Sequence, residues 1–232
     1  MRTSGNAWTM WRGDCIDVMR GLDLETFALV IADPPYGVAE RTDRKAKGRS
    51  NAAASNDFAA VLGDDRPFDP APFVALPRVV LWGANHFASR LPDASCWLAW
   101  DKRDGGTPDD NADAELAWTN LPGPVRLFTH LWRGMIKASE KTERRLHPTQ
   151  KPVALMRWIL ERWTKPGDLV LDPYAGSSPV GVACIQTGRR YVGVELAPEH
   201  YATACERLQA EEDGSTIQAS RAGQLALLGG VK

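Results

Sequence analysis

The sequence has no long hydrophobic run, and its charges nearly cancel. No apolar stretch approaches the roughly 20 residues that a membrane-spanning helix requires, and the N-terminal residues lack the apolar core of a signal peptide. The formal net charge of the 232 residues is -1, which excludes a polycation and confines any basic surface to a local patch. We therefore expect a cytoplasmic protein without membrane contact.

Cysteine is scarce, and two nucleotide-binding patterns are missing. The four cysteines are widely spaced and include no Cys-x-x-Cys pair, so neither a metal site nor a disulfide framework is predicted. The sequence also lacks Gly-x-Gly-x-x-Gly and any phosphate loop ending in Lys-Ser or Lys-Thr. These absences disfavour hydride transfer and nucleotide hydrolysis.

The composition is that of an ordinary globular domain, with 44% hydrophobic and 25% charged residues. Short apolar runs bounded by Gly, Pro or Asp predict six strands: FALVIADPP, PRVVLWG, SCWLAWD, PVRLFTHLW, DLVLDP and RYVGVEL. Helices are predicted at residues 153–163, 180–186 and 198–211. Because strands alternate with helices, we expect an α/β fold with a doubly wound, mostly parallel sheet.

The phrase DPPYG, which begins at Asp33, directly follows an apolar run. Asp33 therefore ends a strand at the carboxyl edge of the sheet, where open α/β folds bind ligands. Pro34 and Pro35 stiffen the backbone, so a carbonyl acceptor is held beside the carboxylate. Two such acceptors suit the hydrogens of a planar exocyclic amine, and Tyr36 offers a flat face for a base. The alternative is a proline-stiffened turn in which Tyr36 only packs.

A second Asp-Pro phrase, DPYAGSSPVG, begins at Asp172. It leads from a strand through a Gly-Ser turn into a helix; Gly176 allows close approach of a ligand, and the helix start offers free N–H groups. Glu195 ends the next strand, at about the spacing from which an acidic residue reaches ribose hydroxyls. This order predicts a nucleoside-binding unit. A solvated acid at the strand end is the alternative for Glu195.

Together, DPPYG, GDCIDVM, HPTQKP, DPYAGSSPVG and YVGVEL resemble the S-adenosylmethionine-dependent amino-methyltransferases of DNA, which act on adenine N6 or cytosine N4. The catalytic phrase precedes the cofactor phrase, as in the circularly permuted beta group of that family. VVLWGANHF and CWLAWDKR resemble its short phage and prophage members. The resemblance implies a Rossmann-like methyltransferase domain at residues 1–212, with S-adenosylmethionine as cofactor and double-stranded DNA as partner, and a C-terminal tail at 213–232.

The resemblance also implies roles for individual residues. The catalytic phrase consists of Asp33, Pro34, Pro35 and Tyr36. Asp33 and Pro34 accept hydrogen bonds from the amine of a flipped base, and Tyr36 stacks on that base. Adenine is favoured over cytosine because Asp leads the phrase. The predicted cofactor-binding residues are Asp14, Cys15, Asp33, Thr149, Gln150, Lys151, Asp172, Tyr174, Gly176, Ser177, Ser178 and Glu195.

The cofactor phrase departs from the family's usual Asp-Pro-Phe-x-Gly-Ser-Gly-Thr at three positions. Tyr174 replaces Phe, Ser178 replaces the second Gly, and Pro179 replaces Thr. Ser178 and Pro179 suit the N-cap and the first position of a helix. Because Ser178 also takes away the room that a glycine gives, we expect an effect on cofactor affinity.

Two irregular segments are rich in basic residues. Residues 38–50 hold five basic and two acidic side chains, and residues 126–151 hold seven and two. The first belongs to a predicted mobile loop at 38–57, and the second overlaps a predicted target-recognition region at 101–150. Phosphate contacts there predict salt-dependent DNA binding, although solvated surface loops are the alternative. The predicted DNA-binding residues are Arg41, Arg44, Lys45, Lys47, Arg49, Arg133, Lys137, Lys141, Arg144 and Arg145.

The tail contains QLALLGG, which resembles the short peptide that docks in the bacterial sliding clamp. Leu228 replaces the aromatic residue of that peptide, and an apolar segment that folds back on the domain is the alternative for Gln224 to Leu228. Three functional classes fit the sequence as a whole. They are a DNA amino-methyltransferase, a methyltransferase for RNA or a protein amide, and a catalytically silent DNA-binding relative.

Overall fold

Strands and helices alternate along the chain in the computed structural model, which describes residues 1–37, 62–63, 65–105, 112–133, 136–140, 146 and 150–223. The strands are β1 (Arg2–Ser4), β2 (Trp8–Arg12), β3 (Leu29–Ala32), β4 (Val79–Trp82), β5 (Trp97–Asp101), β6 (Ala114–Thr119), β7 (Arg126–Thr129), β8 (Trp132–Arg133), β9 (Ile136–Lys137), β10 (Leu169–Asp172) and β11 (Arg190–Glu195). The helices are α1 (Cys15–Arg20), α2 (Ala71–Val74), α3 (Val153–Trp163), α4 (Pro179–Gln186), α5 (Pro198–Glu212) and α6 (Ile217–Arg221).

Within these residues, nine strands form one sheet in the order β1-β2-β11-β10-β3-β4-β6-β5-β7. The pairs within β2-β11-β10-β3-β4 are all parallel, as is β5-β7, whereas β1-β2, β4-β6 and β5-β6 are antiparallel. The predicted mostly parallel sheet is confirmed, and all six predicted strands form. Because β3 and β10 are parallel neighbours, Asp33 and Asp172 end up at the same edge of the sheet.

Helices cover both faces of this sheet, as a doubly wound fold requires. On one face, α3, α4 and α5 bury apolar side chains such as Leu155, Val182 and Leu208. On the other, α1 and α2 contribute Met19 and Phe73. The apolar positions of α3 recur at three- and four-residue spacing, so burial of one face explains why this segment forms a helix. No helix in the described part of the chain is long and apolar enough to cross a membrane.

The helix predictions are confirmed closely. Helix α3 has the predicted bounds, whereas α4 begins one residue earlier and α5 ends one residue later than predicted. The predicted tail is partly ordered, because α6 packs against α5 and buries Ile217. The predicted mobile loop at 38–57 and the clamp-like segment at 224–228 lie outside the described residues.

Strand β6 is unexpected, because no strand was predicted at residues 114–119. It lies inside the sheet between β4 and β5, within the predicted target-recognition region at 101–150. Its sequence, AELAWT, includes Ala and Glu, which are depleted in strands, and therefore lacks the branched-residue run of the other strands. Because β6 is antiparallel to β4, its first residues lie at the edge where β4 ends.

Candidate active site

Both Asp-Pro phrases meet in one cavity at the carboxyl edge of the parallel strands. Asp33 follows β3, Asp172 ends β10, and the two lie on neighbouring strands. The cavity has a volume of about 50 Å³. Its polar and turn residues are Asp33, Gln150, Lys151, Asp172, Tyr174, Gly176 and Ser177. Asp33, from the predicted catalytic set, therefore lines one cavity with residues that were predicted to bind the cofactor.

Asp33 lies in contact with the side chains of Tyr36 and Lys151. The Tyr36 hydroxyl donates a 2.7 Å hydrogen bond to Asp33 Oδ1, and the Lys151 ammonium forms an ion pair with the same oxygen. Lys151 Nζ also donates to Tyr36 Oη at 3.1 Å. Burial raises the pKa of the Asp33 carboxyl, and the Lys151 ammonium opposes that effect. Burial, reinforced by Asp33, raises the pKa of Tyr36 well above its ordinary value, so its hydroxyl stays protonated.

Lys151 also contacts a second carboxylate, that of Glu115 on β6. Its Nζ lies 3.2 Å from Glu115 Oε2, and Lys102 Nζ lies 2.9 Å from Glu115 Oε1. Burial lowers the pKa of Lys151, but Asp33 and Glu115 outweigh it and raise that pKa well above its ordinary value. Burial likewise raises the pKa of Glu115, but Lys151 and Lys102 outweigh it and lower that pKa to about 2. Asp33, Lys151, Glu115 and Lys102 therefore form one compact network of charged side chains.

Glu115 and Lys102 were not among the predicted site residues. Lys102 follows the predicted strand SCWLAWD, which is the only signal that the sequence offers, whereas Glu115 lies at the start of β6, where no strand was predicted. Their role depends on the pairing of β5 with β6, which places Asp101 opposite Ala114. Lys151 was predicted to bind cofactor; it does line the shared cavity, and it also touches the catalytic phrase.

The ring of Tyr36 is fixed by residues that follow β4. It stacks on His86 with ring centroids 5.0 Å apart and an interplanar angle of 15°. Gly83 has a φ of 70°, in the left-handed region that favours glycine. A Cβ at Gly83 would overlap the Tyr36 ring. The glycine in VVLWGANHF therefore provides the room that the Tyr36 ring occupies.

The turn after β10 is tied to the end of β11 by Glu195. Gly176 N donates a 2.8 Å hydrogen bond to Glu195 Oε2, and Ala197 N donates a 2.8 Å bond to Glu195 Oε1. Each carboxylate oxygen keeps a further acceptor position, so the predicted contact with ribose is compatible with these bonds. Burial raises the pKa of Glu195.

Ser177 offers a separate indication of a ligand at this turn. Its side chain is 2% exposed, and its Oγ has no hydrogen-bond partner in the described structure. The residue lines the shared cavity. Because a buried hydroxyl without a partner is costly, a polar ligand atom in this cavity would satisfy it. The donor set, with a backbone turn, a free hydroxyl and nearby carboxylates, fits a nucleoside cofactor.

Ser178 lies beneath the turn and is fully buried. It occupies the N-cap position of α4 as predicted, but its side chain makes no capping hydrogen bond. Its φ of 60° lies in the left-handed region, and its Oγ donates a 2.8 Å bond to Tyr191 Oη instead. Tyr191 Oη in turn donates to Asp172 Oδ2 at 3.2 Å. The prediction of a side-chain cap at Ser178 is therefore wrong, because this backbone conformation directs the hydroxyl to Tyr191.

Asp172 is 2% exposed and accepts a 3.1 Å hydrogen bond from Tyr174 N. Burial raises the pKa of Asp172 to about 8. Burial raises the pKa of the Cys15 thiol at the start of α1. Asp14 caps α1, since its Oδ1 accepts from Ile16 N at 2.9 Å.

The structure describes only part of the predicted DNA-binding set. Arg133 belongs to β8, and Lys137 Nζ lies 4.9 Å from the ring centroid of Trp132. The side chain of Gln150, predicted to contact cofactor, accepts a 2.9 Å hydrogen bond from Leu146 N. The residues outside the described part of the chain are Arg41, Arg44, Lys45, Lys47, Arg49, Lys141, Arg144, Arg145 and, from the cofactor set, Thr149.

Comparison with known proteins finds DNA methylases among the similar sequences. Residues 109–206 match a family model of the N6/N4 type described as DNA methylase. The chain is similar to DNA amino-methyltransferases. It is 46% identical over 66 residues to YubD of Escherichia coli strain K12, a protein named as a methylase, covering 28% of this chain and 29% of YubD. It is 37% identical over 83 residues to the type II methyltransferase M2.DpnII of Streptococcus pneumoniae, covering 36% of this chain and 31% of that protein.

The amino-methyltransferase fold is also seen among solved structures. The complex of M1.HpyAVI with SAM superposes with a TM-score of 0.52 at 21% identity, covering 87% of this chain and 98% of that chain. The predicted Rossmann-like methyltransferase fold is thereby confirmed. The chain matches less than a third of the length of the two curated relatives.

Proposed function

We propose that this protein transfers the methyl group of S-adenosylmethionine to an exocyclic amine of double-stranded DNA, with adenine N6 favoured over cytosine N4. The observation that carries the proposal is the shared cavity: Asp33 and the turn at 172–177 line it together. An amine acceptor and a nucleoside-binding turn are the two parts that this reaction requires. The preference for adenine follows from the Asp that leads DPPYG.

The cofactor end of the site uses the turn after β10. Gly176 and Ser177 would hold the cofactor through the backbone and the unpartnered Oγ, and Glu195 would accept from ribose hydroxyls. Bound S-adenosylmethionine supplies an electrophilic methyl group. Methyl transfer then needs only positioning and electrostatic stabilisation by the protein, because no covalent enzyme intermediate is required.

The amine end of the site uses the catalytic phrase. Asp33 and the Pro34 carbonyl would accept the two amine hydrogens, which favours the localised lone pair that attacks the methyl group. Tyr36 and Lys151 presently bond to Asp33 Oδ1, so the amine would use the other carboxylate oxygen or replace one of them. As the nitrogen becomes cationic, both acceptors bind it more strongly, and its extra proton then leaves.

The similarity to DNA methylases supports DNA as the substrate over RNA or a protein amide. The five basic residues of 38–50, together with Arg133, Lys137, Lys141, Arg144 and Arg145, would contact phosphates. We also propose a cytoplasmic location, where such a substrate is found. A sliding-clamp contact through Gln224 to Leu228 remains a separate, weaker proposal that rests on the sequence alone.

The test is methyl transfer from labelled cofactor to double-stranded DNA, RNA and a protein mixture, followed by digestion of methylated DNA to nucleosides and mass analysis. We expect label in DNA and N6-methyl-2′-deoxyadenosine as the modified nucleoside. Asp33→Asn, which keeps the shape but removes the charge, should lose about 100-fold or more in kcat. Label in N4-methyl-2′-deoxycytidine would identify cytosine as the target base. Transfer only to RNA or protein, or cofactor binding without transfer, would overturn the proposal.

A further inference from the structure

The carboxylate of Asp33 belongs to a network of four charged side chains, of which the Lys151 side chain is buried. Lys151 is only 4% exposed in its side chain and contacts the carboxylates of Asp33 and Glu115. Glu115 in turn bonds to Lys102 at 2.9 Å. Two carboxylates and two ammonium groups give a formal net charge of zero. We call Asp33, Lys102, Glu115 and Lys151 the charge network.

We propose that Glu115 is a positioning residue that keeps this network neutral and draws the Lys151 ammonium partly away from Asp33, so that Asp33 can accept the target amine. The inference rests on the proposed function and deepens it. Glu115 belongs to neither Asp-Pro phrase and reaches the site from β6.

The first reason is the way in which charge moves during methyl transfer. A bond forms between the methyl carbon and the amine nitrogen as the carbon–sulfur bond breaks. The positive charge of the sulfonium thus passes to the nitrogen, and sulfur leaves as a neutral thioether. The nitrogen then releases one proton to water. A net positive charge in the network would oppose the cationic nitrogen, and in a buried site such an interaction is weakly screened.

The second reason is competition for Asp33 Oδ1. The Lys151 ammonium and the Tyr36 hydroxyl both contact that oxygen already. With Glu115 present, Lys151 divides its donors between two carboxylates. Without the charge of Glu115, Lys151 would pair with Asp33 alone and weaken it as an acceptor. Both reasons predict slower chemistry when Glu115 is neutralised.

The decisive experiment compares Glu115→Gln with Lys102→Met. Both substitutions break the same ion pair, but they change the network charge in opposite directions, to +1 and to -1. We expect Glu115→Gln to lower kcat by roughly 10- to 100-fold, for one charge close to the reacting nitrogen. Lys102→Met, which makes the network negative, should lower kcat much less than Glu115→Gln does. A purely structural role for the pair predicts equal losses of activity in the two variants.

The double variant Glu115→Gln/Lys102→Met restores a neutral network and should recover most of the lost kcat. KM for the cofactor should stay within about twofold in all three variants, because the change acts on the chemical step. Glu206→Gln breaks an exposed ion pair with Arg221 on the outer helices and is the matched control, with kcat unchanged. A double variant as slow as Glu115→Gln, or a normal Glu115→Gln, would overturn the inference.

A second measurement does not depend on turnover. The Lys151 ammonium is followed by NMR of its Nζ over a pH titration in wild type, Glu115→Gln and the double variant. Its pKa should fall in Glu115→Gln and rise again in the double variant; an unchanged Lys151 pKa would contradict the charge network. If wild-type protein transferred no methyl group, the proposed function would fail, while this titration would still decide whether Glu115 controls Lys151.

Discussion

Ser178 Oγ donates a 2.8 Å hydrogen bond to Tyr191 Oη from a residue whose backbone φ is 60°. The left-handed conformation explains why a glycine is usual at this position of the cofactor phrase, since only glycine adopts it without steric cost. The serine offsets part of that cost through a fully buried hydrogen bond. The departure from the family pattern thus has a structural compensation.

This relationship predicts that glycine at position 178 gives a more stable protein than alanine, the reverse of their order in an ordinary helix. Ser178→Gly loses one hydrogen bond but relieves the backbone, so the free energy of unfolding should change by less than about 1 kcal/mol. Ser178→Ala loses the bond and keeps the strain, and should cost about 1–2 kcal/mol. Urea unfolding of both variants measures the difference. Alanine more stable than glycine here, as in an ordinary helix, would contradict the argument.

Gly83→Ala should abolish methyl transfer by displacing the Tyr36 ring, which the new Cβ would overlap. We expect kcat to fall by about 100-fold or more, because a misplaced catalytic group is costly. Gly214→Ala is the matched control: Gly214 has the same φ of 70°, but a Cβ there meets nothing within 4 Å. Gly214→Ala should lower the free energy of unfolding by a similar amount, and this variant should keep its activity. Equal losses of activity in both variants would show that strain alone is responsible.

Because of Asp172, the free energy of unfolding should fall as pH rises from about 4 to about 8. Its pKa is raised to about 8 from an ordinary 3.8, so in this window the folded state binds a proton that the unfolded state has released. Asp172→Asn lacks this titration. The Tm of the variant minus that of wild type should therefore become more positive between pH 5 and pH 8 and then level off. A difference that does not change with pH would refute the raised pKa.

Arg207 should contribute strongly to stability through its buried partners. Its Nη2 donates a 2.9 Å bond to Glu140 Oε1, and its Nη1 donates a 3.1 Å bond to the Ser177 carbonyl. Arg207→Met leaves Glu140 buried without its cation and should cost about 3–5 kcal/mol. Arg221→Met removes an exposed pair with Glu206 and should cost under about 1 kcal/mol. Similar losses, measured by urea unfolding, would contradict this contrast.

DNA affinity should fall steeply with salt if the basic segment at 38–50 contacts phosphates. Each lost contact should reduce the slope of log K against log salt by about 0.9. Replacing the five basic residues of this segment with Gln should therefore flatten the slope, whereas Arg157→Gln and Arg221→Gln on the outer helices should not. Fluorescence anisotropy with a labelled duplex at several salt concentrations gives both slopes. An unchanged slope in the five-residue variant would remove this segment from the interface.

Much of the fold followed from local patterns. The apolar runs that became β3, β4, β5, β7, β10 and β11 are bounded by turn residues, and the periodicity of α3 gave its bounds. The strand–turn–helix order also located the turn at Gly176, between β10 and α4. These features depend on residues close together in the chain, where backbone preference and one-sided burial act directly.

The site itself depends on contacts between distant parts of the chain. The sequence by itself determined the two Asp-Pro phrases and their flanking elements. Only the pairing of β3 with β10 decided that Asp33 and Asp172 share a cavity. Only the position of β6 in the sheet decided that Glu115 reaches Lys151. The Ala and Glu residues of β6 have low strand propensity, so the sequence did not predict this strand. Such pairings are selected by burial of the whole sheet. The sequence therefore specified which chemical groups are available, and the tertiary structure decided which of them act on one another.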